Sequence, residues 1–412
     1  MSKGYLIVNV YVDTIAEPIN SATVVVTGDN YERSFTTDID GKTPTIELDA
    51  PLKEYSLTPQ KEVRPYSIYS LRVSKPGYET TIVNGVQVLP EETSIQNVYL
   101  PIQTSTVATF ASTTDNVINL PPHSLWEEER KSQRNNGIEG VFMRVLPDVA
   151  IPEYIMVHDG IPSNTNAANY YVPFTDYIKN VASGEIYSTW PKEAIRANIY
   201  AILSFTMNRI FTEWYKSQGY KFTITSSPKY DQIYVHNRTI FKTISDIVDQ
   251  IFNYYIQLPG KNFPFLAQYN DGIETNNQGW LSQWGSKYLA DQGYTALQIL
   301  KHYYVSGLTL ERAEQIEGLP LSFPGYNLEE GSCSEAVQKI QIMLNTISGS
   351  YPAIPKISPA DGQYKSTTTS SVKKFQSTFN IPVTGIVDFA TWYKISYVYI
   401  AVTRMLQGVA TN

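Results

Sequence analysis

Residues 190–205 read WPKEAIRANIYAILSF and predict the longest helix of the chain. Pro191 is favoured in the first turn of a helix and Gly219 can end one, so this helix is expected over 191–217. Between positions 194 and 207 the strongly polar residues are only Arg196, Asn198, Ser204 and Thr206. A helix that is apolar on nearly every face runs through a core, because no side of it suits water. The stretch therefore predicts a domain built round a long buried helix.

Three further helices are expected in the same part of the chain, because apolar residues recur there at helical spacing. They cover about 239–256, 294–304 and 309–316. The segment 145–157, VLPDVAIPEYIMV, has instead the composition of the first strand of a new domain. Residues 144–322 are therefore predicted to form one α+β domain.

The N-terminal region has the pattern of a sheet protein. Apolar and polar residues alternate in short runs such as YLIVNVYV at 5–12 and YSLRV at 69–73. About seven short strands in about 100 residues predict a β-sandwich over 1–101. The phrases PINSATVVVTG and YSLRVSKPGYET resemble the carboxypeptidase regulatory-like sandwich of transthyretin type. Residues 102–143, which are rich in Thr, Ser, Asn and charged side chains, are expected to be a linker.

The end of the chain predicts three helices separated by tight turns. Helical runs at 334–345 and 367–379 are followed by the glycine-containing turns Asp361-Gly362 and Thr384-Gly385, and a last helix begins near Phe389. This order resembles the three-helix peptidoglycan-binding domain, which is expected over 323–412. Its aromatic residues, Phe375 and Trp392, are expected in the core of that domain.

Composition narrows the class of protein. At 412 residues the chain is expected to be a multidomain α+β protein, and its net charge of −7 argues against a nucleic-acid partner. The single cysteine, Cys333, and four scattered histidines predict neither a disulfide framework nor a metal site, and no cofactor is expected. The N-terminus has the pattern of a strand and not of a secretion signal, and no apolar run reaches the length of a membrane span.

The central region carries the candidate chemistry. The helix at 190–205, YDQIY at 230–234 and QGWLSQWGSKYLADQGYTALQILKHYY at 278–304 resemble the stage II sporulation protein D family. DYIKNVASGEIYSTWP at 176–191 resembles the clostridial spore cortex-lytic enzyme. Over about 145–310 the likeness is closer still to the clostridial spore cortex-lytic enzyme. The resemblance implies a lytic transglycosylase with Glu193 as its acid and base. One carboxylate suffices for that reaction, because the nucleophile is the C6 hydroxyl of the substrate's own muramic acid.

Further residues are candidates for contact with the substrate. Helical spacing places Arg196 and Tyr200 on the side of Glu193, where Tyr200 could stack on a sugar ring or simply pack. Asp231 and Gln232 are candidates for positioning the substrate or for a turn. Ser282 and Gln283, in the S-Q motif of the resembled family, are expected to line the cleft. Some members of that family hold a metal near this motif, but QYNDGIETNNQGW at 268–280 has no Cys or His, so metal dependence is not carried over.

The prediction is therefore a peptidoglycan lytic transglycosylase of the spore cortex, coat region or cell wall that yields 1,6-anhydro-muramic products during germination. Two alternatives remain open: an N-acetylmuramoyl-L-alanine amidase, and a non-catalytic wall-binding protein of a spore, phage or injection device. The resemblance also implies a pro-enzyme, with a subtilisin-type protease as partner and a cut between Arg144 and Val145.

Overall fold

The computed structural model describes residues 2–13, 17–103, 115–126, 146–273, 277–319 and 322–406. Over these residues the chain is a mixed α+β protein with eight α-helices and several small sheets. The boundary at Arg144 and residues 104–114 and 127–143 of the expected linker lie outside the described residues. Residues 115–126 are described and correct the prediction of a linker there, because Asn116–Asn119 form a strand that pairs with Thr81–Asn84. Among the helices of the described ranges, none is both long and apolar enough to cross a membrane.

The N-terminal region consists of strands that enclose one apolar core. The strands are β1 (Ser2–Val12), β2 (Thr23–Gly28), β3 (Tyr31–Thr36), β4 (Ile46–Ala50), β5 (Ser67–Ser74), β6 (Thr81–Val88), β7 (Thr93–Leu100) and β8 (Asn116–Asn119). One sheet has the order β3-β2-β5-β6-β8, and β7, β1 and β4 belong to a second. Alternate residues such as Val24 and Val26 of β2 and Leu71 and Val73 of β5 are fully buried between the sheets. Period-two alternation accounts for this arrangement, because it gives each strand one apolar face.

The central region alternates short strands with helices. Its strands are β9 (Ala150–Ile151), β10 (Tyr154–His158), β11 (Asn169–Pro173), β12 (Ile224–Thr225), β13 (Ile240–Phe241), β14 (Tyr254–Gln257), β15 (Tyr269–Asn270), β16 (Leu281–Ser282), β17 (Thr309–Arg312) and β18 (Gln315–Ile316). Its helices are α1 (Phe174–Glu185), α2 (Lys192–Phe211), α3 (Lys242–Ile251), α4 (Gln283–Asp291) and α5 (Ala296–Tyr303).

Helix α2 is the buried helix that the sequence predicted. Every residue from Ala197 to Arg209 is buried, and α1, α3, α4, α5 and β14 all pack against it. The helix is shorter than expected, because it ends at Phe211 and not at 217. The cause is local: Glu213 adopts a φ of 44°, in the left-handed region that interrupts a right-handed helix. Gly219 follows a separate 3₁₀ turn.

Two of the other helix predictions are corrected by the structure. The segment 239–256 is not one helix, since α3 lies between the strands β13 and β14. The helix expected at 309–316 is wrong: this segment forms β17, paired with β14, and β18, paired with β9. These strands are two to four residues long. Pairing with distant segments fixes such short strands, and their own periodicity is too brief to predict it.

The C-terminal region consists of α6 (Glu335–Ser350), α7 (Ser366–Thr378) and α8 (Phe389–Leu406). As the sequence predicted, both turn glycines have positive φ, 79° at Gly362 and 76° at Gly385. A buried glutamine holds each turn. The Oε1 atom of Gln341 accepts the Gly362 N–H at 2.9 Å, and that of Gln376 accepts the Gly385 N–H at 2.8 Å.

The three regions are joined by shared packing. Phe252 at the end of α3 lies 5.5 Å from the ring of Phe389 and 5.4 Å from that of Tyr393, both on α8. Tyr66 and Leu125, from the N-terminal region, belong to the same apolar cluster as α2. Strand β13 pairs antiparallel with β7 and so extends the second N-terminal sheet. One large core therefore crosses the boundaries expected from the sequence.

Candidate functional site

The S-Q motif and the end of α1 meet at a buried carboxylate. Glu185 is the last residue of α1 and is 2% exposed. Ser282 caps α4 by accepting the Gly285 N–H at 2.9 Å, which fixes the direction of Gln283 in the first turn. The Nε2 atom of Gln283 donates to Glu185 Oε2 at 3.2 Å. Two more donors, the Ile233 N–H and the Tyr269 hydroxyl, reach Glu185 Oε1 at 3.3 and 3.4 Å.

Aromatic rings gather on the segment that follows Glu185. Trp190 lies 4.8 Å from Trp284, and Tyr187 meets both indoles edge-on at 6.0 and 6.2 Å. Trp190 and Trp284 are mostly buried, at 3% and 9% exposed. The cluster anchors the chain between α1 and α2 against the first turn of α4. It thus holds Glu185 and Gln283 in register.

Residues 123 and 124, within the expected linker, cover this segment. The Ser124 N–H donates to the Gly184 carbonyl at 3.2 Å, and His123 Nε2 lies 3.3 Å from the Ile186 carbonyl oxygen. The His123 ring also packs on Tyr187 at 4.4 Å. Glu185 is therefore enclosed in part by the N-terminal region.

Glu193 lies at a different place, where two helices begin. It is in the first turn of α2, and its Oε2 atom accepts the N–H of Ala296, the first residue of α5, at 2.7 Å. Its other oxygen is 3.8 Å from Arg196, and the side chain is 43% exposed. The first contact satisfies one of the N–H groups at the start of α5 that have no partner within the helix. The carboxylate thereby links α2 to α5.

Arg196 and Tyr200 share the face of α2 with Glu193, as helical spacing predicted. The Arg196 guanidinium donates to Gln250 at 2.8 Å. Tyr200 is 9% exposed and packs edge-on against Tyr254 at 6.1 Å. Burial raises the pKa of Tyr200, and Arg196 acts in the opposite direction. Of the two roles open for Tyr200, this geometry is that of packing.

Asp231 and Gln232 are fully buried. Asp231 pairs with Arg209 at 2.9 Å and accepts further hydrogen bonds from Tyr215 and Thr225. Gln232 accepts from Tyr177 at 3.1 Å and Thr206 at 2.8 Å, and its amide donates to the Ile202 carbonyl at 3.2 Å. With no exposed surface, neither side chain can contact a substrate in this conformation. The pair ties the segment after β12 to α2.

The predicted residues therefore divide into two groups. One group holds other segments against α2 and consists of Glu193, Arg196, Tyr200, Asp231 and Gln232. The other group, Ser282 and Gln283, lies at Glu185. Gln283 donates to Glu185, a carboxylate that was not among the predicted site residues. Ser282 orients Gln283 by capping the helix. The local signal for Glu185 in the sequence was only an acidic residue five positions before Trp190. The described residues contain no group of three or more His, Cys, Asp or Glu side chains placed to hold a metal ion.

Comparison with known proteins identifies one part of the chain. Residues 333–395 match the family described as "Putative peptidoglycan binding domain". The match covers all of α6 and α7 and the start of α8, so the chain contains a peptidoglycan-binding domain there, as its sequence predicted. No curated protein matches the chain.

Among solved structures, the Bacillus anthracis TIE protein shares 19% identity with a TM-score of 0.19, over 25% of this chain and 17% of that one. A cohesin–X-dockerin complex from Acetivibrio cellulolyticus shares 14% identity with a TM-score of 0.19, over 27% of this chain and 64% of that one. The chain spans less than two thirds of either protein. Likenesses this low carry no argument about fold or function.

Proposed function

We propose that the chain is a wall-anchored peptidoglycan lytic transglycosylase, and that Glu185 is its acid and base. The observation that carries the proposal is the hydrogen bond from Gln283 to Glu185, which joins the S-Q motif to a carboxylate in the core. The peptidoglycan-binding domain at 333–395 supports the substrate class.

The chemistry requires one carboxyl group that changes its protonation state. In the protonated form it donates its proton to the glycosidic oxygen while the bond from that oxygen to C1 of muramic acid breaks. As a carboxylate it then takes the proton of the C6 hydroxyl while that oxygen bonds to C1. The product is the 1,6-anhydro sugar, no water is consumed, and the carboxyl group returns to its starting state. Gln283 would orient the carboxyl group through both half-reactions.

Glu185 suits this role better than Glu193 does. A general acid acts best away from bulk water, and Glu185 is 2% exposed and oriented by the hydrogen bond from Gln283. Glu193 is half-buried, and one of its carboxyl oxygens is already occupied by the N–H that begins α5. We assign Glu193 to positioning α5 against α2, in place of the catalytic role implied by the resemblance.

In the proposed enzyme, the residues that pack on the segment around Glu185 regulate access to it. In the full chain His123 and Ser124 pack on the segment around Glu185, so a substrate reaches it only after this cover moves. We therefore extend the proposal to a pro-enzyme of the spore cortex, opened during germination by a subtilisin-type protease. The same enclosure favours the second candidate, a wall-binding protein without activity.

Muropeptide analysis tests the assignment. Wild type, Glu185→Gln, Glu193→Gln and the exposed control Glu314→Gln are incubated with purified cortex peptidoglycan, before and after limited subtilisin treatment. We expect anhydro-muramic ends from wild type and the control. Glu185→Gln should lower the rate by about 10²–10⁴, and Glu193→Gln by less than about tenfold.

Each other outcome assigns the function differently. Loss of activity only in Glu193→Gln would return the acid to that residue. New N-terminal L-alanine on released peptides would make the protein an amidase. If folded wild type releases no product under either condition, the chain is a wall-binding protein.

A further inference from the structure

A cavity of about 350 Å³ lies where the three regions of the chain meet. The N-terminal sheet contributes Tyr11, Asn97 and Tyr99, the central region contributes residues of α1 and of the loop before β13, and Lys394 enters from α8. A cavity of this volume is in the range that encloses a small ligand. The Glu185 site lies outside it.

Lys394 is the feature of this cavity that most needs a partner. Its ammonium makes no hydrogen bond or ion pair with any described residue and lies 5.8 Å from the ring of Phe379. Burial lowers the pKa of Lys394 and the charge of Lys179 adds to this effect, whereas the carboxylates of Asp176 and Asp249, neither within ion-pair distance of the ammonium, act in the opposite direction. Lys179 itself is satisfied, because Asp249 pairs with it at 2.7 Å. An ammonium left without a partner in a partly enclosed space is a place for an anionic group of a ligand.

The rest of the lining is polar and aromatic and carries charges of both signs, from Asp13, Asp176, Lys179 and Arg238. The rings of Tyr11 and Tyr99 lie 5.8 Å apart, and the amides of Asn9 and Asn97 are joined at 2.9 Å beside them. His236 is stacked on Tyr170 at 3.9 Å, and burial lowers its pKa, which favours the neutral ring. Aromatic faces suit sugar rings, and amide groups suit acetamido and peptide groups.

From this lining we infer that the cavity binds a soluble peptidoglycan fragment, an N-acetylated amino sugar carrying a stem peptide, whose carboxylate pairs with Lys394. The inference rests on the peptidoglycan specificity of the C-terminal domain and not on the assignment of Glu185. Because all three regions form the walls, a bound fragment holds them together and stabilises the full chain against unfolding.

Calorimetric titration of the full chain tests the inference. The probes are a purified disaccharide-tetrapeptide, the disaccharide without peptide, and the free tetrapeptide. We expect the disaccharide-tetrapeptide to bind more tightly than either part. Lys394→Met should weaken binding by about tenfold to a hundredfold, the usual range for a lost hydrogen bond to a charged group. Lys339→Met, an exposed lysine of α6 in the same domain, should change it less than twofold.

A measurement on the wild-type chain guards against a misfolded variant. An amine acylating reagent should label Lys394 in the free protein and label it less when the disaccharide-tetrapeptide is bound, whereas the labelling of Lys339 stays unchanged. Absence of binding by any probe, equal affinity of Lys394→Met, or unaltered labelling of Lys394 would each overturn the inference. Binding of the full chain to the cell wall, measured by pelleting with sacculi, and release of anhydro products are measured separately. Failure of the cavity to bind a fragment is therefore distinguishable from failure of the proposed activity.

Discussion

Gln283 donates to Glu185 across 98 positions of sequence, from Nε2 to Oε2 at 3.2 Å. Ser282 caps the helix that begins at Gln283, so the amide is aimed by backbone geometry and not by a flexible loop. The carboxylate in turn ends α1, next to the cluster of Tyr187, Trp190 and Trp284. The position of this one hydrogen bond therefore depends on the packing of α1, α2 and α4 together.

Replacement of Gln283 by Met should destabilise the protein and reduce its activity. The change keeps the size of the side chain but removes a donor to a buried carboxylate, which costs about 1–3 kcal/mol. Gln292→Met, at the exposed end of α4, should cost less than about 0.5 kcal/mol. Denaturation midpoints and the rate of anhydro-product release measure the two effects. Equal stability of both variants would mean that the Gln283 contact contributes nothing to the fold.

Replacement of Asp231 by Asn should lower stability strongly. Removing one partner from a buried ion pair leaves Arg209 without its counter-charge, at a cost of about 3–5 kcal/mol. Asp291→Asn breaks the more exposed pair of Lys287 and Asp291 and should cost about 1 kcal/mol or less. If chemical denaturation gives the same loss for both variants, Asp231 does not hold the segment after β12 to α2.

Two glycines of the C-terminal domain should respond in opposite directions to alanine. Gly385 has a φ of 76°, and an added Cβ would lie 2.8 Å from Lys373 Cε and 3.0 Å from Thr369 Cγ2, so Gly385→Ala should destabilise by about 1–2 kcal/mol. Gly349 lies within α6 with open space round it, so Gly349→Ala should stabilise by up to about 1 kcal/mol. Denaturant titration measures the sign of the change in the free energy of unfolding for each variant. The same sign in both variants would contradict the turn geometry.

The stability of the full chain should depend on pH through Glu92. Burial raises the pKa of Glu92 to about 7, partly opposed by the hydrogen bond from Thr243 at 2.8 Å. Glu92 therefore binds its proton more tightly in the native state than in the unfolded state. Its contribution to the free energy of unfolding is full below about pH 4.5 and is lost as the pH rises through 7. Glu92→Gln should remove this part of the profile, no more than about 3 kcal/mol, whereas Glu54→Gln should leave it. Denaturation midpoints between pH 4 and 8 decide the matter, and parallel profiles for wild type and Glu92→Gln would refute the assignment.

A fragment beginning at Val145 should release products faster than the full chain. The start point is the one implied by the resemblance, and removal of the preceding residues takes away the His123 cover over Glu185. The fragment should also be less stable, because Tyr66 and Leu125 leave the shared core. Rates are compared per folded molecule, with folding monitored by circular dichroism. Equal rates would show that the N-terminal region does not inhibit.

Long regular patterns made part of the fold predictable. The mostly apolar run of α2 predicted its burial, and the alternation in β1 and β5 predicted a sheet core. The turns at Gly362 and Gly385 predicted three helices. The predicted C-terminal end of α2 was too late in the chain, because the left-handed conformation of Glu213 has no signature in the sequence. The segment 309–316 was misassigned because its partners, β14 and β9, are distant in the chain.

The sequence by itself determined which faces are apolar, where the chain must turn, and that a peptidoglycan-binding domain lies within 323–412, where residues 333–395 match that family. Each of these depends on residues close together in the chain, so local spacing carries the information. Only the tertiary structure decided that Gln283 meets Glu185, that Glu193 serves the N-terminus of α5, and that Lys394 enters a cavity without a partner. These relations depend on the path of the chain between distant segments, which hydrophobic periodicity does not encode.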